Sequence, residues 1–174
     1  MSSIYINSFL LLFVAIDPLG FFPLFVTLTE DAKIKQRNQI AIKSIFIALV
    51  IMISFAYVGR YLLDAIEVSL DSVKIAGGIV LMFLAIDILF EKRKRRREKR
   101  VERALEESSY DDIIVFPLAI PLIAGPSALT AIIVLIGNYT SSPEFQISVI
   151  LALISVLIVS LLLMLGGSYI IKFI

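Results

Sequence analysis

Apolar runs long enough to cross a bilayer constrain this chain more than any other feature. Five stand out: Ile4 to Thr29, Ala41 to Leu63, Val73 to Phe90, Ile113 to Gly137 and Ile147 to Ile171. A spanning α-helix needs about 20 predominantly apolar residues. In lipid every backbone N–H and C=O must be satisfied internally, which leaves two architectures, helices or a closed barrel. A barrel would show short segments of alternating hydrophobicity instead of continuous runs. The fold class is therefore an all-α polytopic membrane protein. A hydrophobic content of 59% and a mean hydropathy of +0.97 agree with it. No long polar domain remains to carry a soluble activity.

The side-chain inventory narrows the chemistry. There is no Cys and no His, so thiol catalysis, disulfides, imidazole bases and the usual zinc or haem ligand sets are excluded. No nucleophile–base pair is visible. The chain reads as a non-enzyme with no resident cofactor or metal and no nucleic-acid partner. Its opening "MSSIYINSF" lacks a basic n-region and a cleavage site, so it reads as mature chain, not signal peptide.

Basic residues orient the spans. If each run crosses once, Lys33, Lys35, Arg37, Lys43, Lys172 and the nine Lys and Arg of "EKRKRRREKRVER" share one side, against Arg60 and Lys74 on the other. Positive residues stay cytoplasmic. The expected localisation is the cell membrane, multi-pass, with the N-terminus outside and the charged 91–112 loop inside. That loop reads mainly as an orientation signal, with anionic lipid head groups as its other candidate contact.

Two runs are interrupted. The first holds "DPLGFFPLF" (17–25) and the fourth "PLAIPLIAGPS" (117–127). Placing Pro18 on Pro126, an offset of 108, also aligns Leu10 with Leu118, Gly59 with Gly167 and Tyr61 with Tyr169. Three crossings separate the copies, so the second is inverted, as in many secondary transporters whose broken helices meet near the midplane. The expected domains are a first three-span repeat at 1–90, the loop at 91–112, and a second repeat at 113–174 with two spans. The third span's partner would fall at 181–198, past Ile174. A sixth span is therefore truncated or truly absent.

Proline removes a backbone donor and breaks the helical ladder. Irregular backbone at membrane depth survives only within protein or beside water. At 1.5 Å per residue, Asp17 lies roughly 20 Å from Ile4, well inside the bilayer. Each break starts a half-helix, with Pro18 or Pro126 at the first position and Asp17 as an N-cap. Helix N-termini favour anions such as a carboxylate, and Gly20 and Gly125 allow close approach of a ligand to backbone. The candidate substrate-binding residues are Asp17, Pro18, Gly20, Gly125, Pro126 and Ser127. Asp17 is also the candidate coupling-ion residue, because an intramembrane carboxylate is costly and marks ion or substrate paths. Ser127 and Thr130 are expected to bond backbone within the break. Asp87 reads as structural, and Lys74 as snorkelling to the outer interface. Asn7 faces the outer interface. "NYT" at 138–140 matches a glycosylation sequon on the outer side. Gly77–Gly78 and Gly166–Gly167 read as close-packing sites between helices.

The paired motifs resemble the MarC family of integral membrane proteins. "DPLGFFPLF" matches its first-span pattern D/N-P-x-G-x-x-P-x-F, and "PLAIPLIAGP" its fourth-span pattern P-L-x-x-P-L-x-x-G-P. The resemblance covers the whole chain. It implies six spans with both termini outside, and this sequence departs by lacking the sixth. It also implies transport of small neutral amino acids such as glycine and alanine, with Na⁺ or H⁺ as candidate coupling ions. The carboxylate would then sit near Gly125, Pro126 and Ser127. The ammonium would face Asp17, and Phe21, Phe22 and Leu122 would crowd the pocket. A channel or exporter for another small solute, or a non-transporting membrane scaffold, are the alternatives. Membrane lipids are the other expected partner, and oligomeric state is open.

Overall fold

A computed structural model describes residues 2–89, 110–139 and 142–170. Among them the chain is entirely helical. In order come α1 (Ser2–Ile16), α2 (Pro18–Leu28), α3 (Ile34–Ala65), α4 (Leu70–Leu89) and α5 (Tyr110–Ile113). A wide-turn, π-type segment (Ile114–Ile123) follows, then α6 (Pro126–Asn138) and α7 (Pro143–Ile170).

Among the described residues three stretches are long and apolar enough to cross a membrane: Ser2–Leu28, Ile34–Gly59 and Pro143–Gly167. The wide-turn segment and α6 form a bent pair, with a 56° angle between its halves, that makes a fourth candidate if the two cross as one. Large apolar side chains such as Phe46, Leu19 and Leu162 project from the surface. Such a surface suits hydrocarbon and would be a liability in water.

Both faces of these helices are apolar, so hydrophobicity cannot select the inward one. Small residues do. The buried stripe of α3 carries Ala41, Ser44, Ala48 and Ala56 among Ile40, Ile45 and Met52, and that of α7 carries Ser148, Ala152 and Ser160 among Val149, Leu153, Val156, Leu157 and Met164. In lipid, helices associate by close van der Waals fit, which small side chains permit. α7 packs along α1, α2 and α3, while α3 also packs on the wide-turn segment and α6. α4 lies against α6.

The glycine pairs divide. A Cβ on Gly77 would press on Thr130 and Val134 of α6, and one on Gly167 would enter the Phe22 ring. Gly78 and Gly166 would meet nothing within 4 Å. Only one member of each pair closes an interface, because neighbours on a helix point about 100° apart. The expectation for Gly78 and Gly166 is corrected accordingly. The helices also begin before their apolar runs: α3 at Ile34 and α7 at Pro143. The 91–109 part of the charged loop, Thr140 of the sequon and the end of the chain at 171–174 lie outside the described residues. So do the side chains of Lys74 and Asp87.

Candidate functional site

The first break is a single residue. Asp17 adopts left-handed backbone angles (φ 57, ψ 66), a conformation Asp tolerates better than most residues. Its N–H still donates to the Phe13 carbonyl at 2.8 Å. Its carboxylate accepts from the Gly20 N–H at 3.0 Å, capping α2. Gly20 is needed there because a Cβ would land on that carboxylate. The run Ser2–Leu28 thus continues as one span, so the interruption expected of the first span is local and not a sharp bend.

The second break is longer. Phe116 and Ile120 are extended (φ −126, ψ 124 and φ −127, ψ 126), and the Phe116–Pro117 and Ile120–Pro121 peptides are cis. Pro117, Pro121 and Pro126 supply no N–H, so carbonyls in this stretch need donors from elsewhere. The Ser44 hydroxyl on α3 donates to the Ile114 carbonyl at 3.1 Å. The chain then turns at Gly125, where a Cβ would sit 2.6 Å from the Pro121 carbonyl oxygen. α6 starts at Pro126 with no side-chain cap.

The two breaks meet. The buried Ser127 hydroxyl donates to the Ala15 carbonyl at 2.9 Å, two residues before Asp17. Of the six buried hydroxyls among the described residues, three bond back to the carbonyl four positions earlier. Thr29, Ser148 and Ser160 do so, as does the less buried Thr130, to Pro126 at 2.8 Å. Ser127 and Ser44 instead reach a different segment, Ala15 beside the first break and Ile114 at the start of the wide-turn segment. Of the six candidate residues, the structure thus joins Ser127 directly to the first break's helix, at Ala15, two residues before Asp17. Phe21 and Leu122 are buried, and Phe22 lies against Gly167.

Sequence reasoning missed Ser44 and the role of Arg37. Arg37 is 4% exposed. Its guanidinium donates to the Thr29 carbonyl at 2.6 and 3.1 Å and to the Glu30 carbonyl at 3.1 Å. It neutralises the negative end of α2 and satisfies carbonyls left by the helix end. Its place in a basic loop made it look like an orientation charge alone. At the other turn Gln146 donates to the Tyr139 carbonyl at 3.2 Å, just past α6.

A groove of about 410 Å³ lies between the end of α3, α4 and α6. Thr130 and Ile133 are its α6 wall, and none of the six candidate binding residues lines it.

Comparison with known proteins agrees with this architecture. The family described as "MarC family integral membrane protein" matches residues 2–174. A UPF0056 membrane protein of Archaeoglobus fulgidus is 39% identical over 159 residues, covering 91% of this chain and 72% of that one. Two of Methanocaldococcus jannaschii are similar: MJ1677, 38% identical over 132 residues (75% of this chain, 62% of that one), and MJ0972, 36% over 156 residues (90% and 68%). The chain thus spans 62% to 72% of the length of these three relatives. No solved structure matches. With a profile match over nearly every residue, and with the apolar helices and both proline-broken motifs in place, this chain belongs to the MarC family of integral membrane proteins.

Proposed function

We propose that this protein is a secondary transporter of small neutral amino acids, glycine- or alanine-like, that binds its substrate between the two breaks. The observation that carries the reading is the Ser127–Ala15 hydrogen bond, which ties the start of α6 to the end of α1, the two helix ends beside the breaks. α6 begins there uncapped: Gly125 has no side chain to offer, and the Ser127 hydroxyl is turned to the other break. A helix N-terminus in that state suits a carboxylate. Asp17, half-buried across the junction, suits an ammonium or a coupling Na⁺ or H⁺. Five crossings, with α4 among them, and the N-terminus outside belong to the same proposal, and the one-sided distribution of Lys and Arg supports that orientation.

An inverted repeat is part of the proposal. Gly59 and Gly167, equivalent at the 108 offset, each pack on a half-helix of the opposite repeat, Gly59 against Ile133 and Gly167 against Phe22. Arg37 and Gln146 each tie the turn after a half-helix in turn.

The test is uptake of labelled glycine and alanine by the full-length protein in liposomes, with and without Na⁺ and pH gradients. Gradient-dependent accumulation is expected. No uptake under any gradient by folded protein would overturn the substrate assignment and favour another small solute or a non-transporting role.

A further inference from the structure

We propose that the groove between α3, α4 and α6 seats an acyl chain of a membrane lipid. The inference stands apart from the transport reading. The groove's volume, about 410 Å³, is in the range of small-molecule pockets, about 300–1,000 Å³. Leu63, Val73, Val80 and Ile133 make its walls, with the small Ala76 and Gly77 between them.

Water is a poor occupant. A buried water needs two to four polar partners. Two hydroxyls line the groove and both are engaged: Thr130 with the Pro126 carbonyl at 2.8 Å, and Ser72 with Ser69 at 2.8 Å. A dry void would forfeit dispersion contacts along its whole lining. Exposed apolar residues of α3 and α4 also adjoin the lining in sequence, and such a surface suits hydrocarbon. Leu62, Ile66, Ile75 and Ile79 are all exposed large apolar residues, which brings hydrocarbon close to the groove. At one end Glu67 and the Ser69–Ser72 pair supply polar groups at the α3–α4 turn, so a chain in the groove leads to a polar terminus where a head group can lie.

The chain has no tryptophan, so one introduced indole reports alone. Val80→Trp places it in the groove, and Phe46→Trp places it on an exposed face of α3 as a control for ordinary surrounding lipid. Full-length protein is reconstituted in phosphatidylcholine carrying a small fraction of acyl-brominated lipid, and fluorescence quenching is read. The groove reporter should be quenched about twofold more than the control, as a modest preference over surrounding lipid gives. Adding Ala76→Phe, which fills the groove, should bring it down to the control level. Val73→Trp is a second reporter if Val80→Trp does not fold. Equal quenching at both positions would overturn the proposal, leaving an ordinary lipid-facing surface. Absent quenching in the groove would overturn it too, because a protein segment or a second copy would then fill the space.

Discussion

Ser127 donates its hydroxyl to the carbonyl of Ala15, 112 positions earlier, across 2.9 Å. A bond between polar groups inside a membrane protein is worth about 1 kcal/mol. Here it also sets the register between two broken spans. Ser127→Ala should lower the unfolding midpoint in detergent modestly and reduce uptake far more than that loss predicts. A variant with full transport would remove this bond from the site.

Asp17 combines a left-handed backbone with a side-chain cap on Gly20. Asp17→Asn keeps both, since Asn caps well and tolerates that backbone. It should fold normally and lose gradient-driven uptake. Asp17→Ala loses the cap as well, at about 1 kcal/mol, so its melting temperature should fall while that of Asp17→Asn holds. Equal melting losses in the two variants would contradict this division.

Gly20→Ala puts a methyl group where the Asp17 carboxylate lies. It should destabilise more than a routine helical Gly→Ala change, which normally stabilises slightly by removing unfolded-chain freedom. Thermal unfolding decides the sign.

Arg37 makes three charge-assisted bonds to the end of α2. Charged hydrogen bonds are worth about 1.5–3 kcal/mol each, and their sum is reduced by the burial of the cation. Arg37→Met should cost about 3 kcal/mol. Arg37→Lys should recover only part of it, because a lysine lacks the planar fork. Chemical denaturation of the three proteins orders them. A lysine variant as stable as the original would refute the capping geometry.

Gly167 accepts the Phe22 ring against its bare Cα. Gly167→Ala should destabilise, and Phe22→Leu should rescue it in the double variant, with a coupling energy of about 1 kcal/mol. Additive effects would mean that the ring moves aside freely.

Local signals proved legible and distant ones did not. Pro18 and Pro126 open α2 and α6 as their sequence positions predict, and Asp17 caps α2. Each of those features is written within four residues. Ser44, Arg37 and the partner of Ser127 could not be read in this way. A hydroxyl's choice between its own helix and a neighbour depends on where the neighbour's carbonyl is left bare. That is settled by packing between residues 70 and 112 positions apart for the two serines. The facing of Gly77 over Gly78 was hidden for a related reason, since helices apolar all round carry no periodic mark of their inner side. The form of the second interruption was also hidden: prolines at four-residue spacing announce a break but not a segment from Ile114 to Ile123 interrupted by extended backbone at both Phe116 and Ile120.

The bond from Ser44 to the Ile114 carbonyl has a consequence for biogenesis. Insertion responds to the summed hydrophobicity of a segment, so the fourth apolar run can enter the bilayer as one greasy stretch. It cannot be completed there by itself, because hydrocarbon offers nothing to its exposed carbonyls. A donor that helps finish it, the Ser44 hydroxyl, comes from a helix made 70 residues earlier. The amino-terminal half therefore acts as a mould, and the later half takes its irregular shape only against a surface that is already in place.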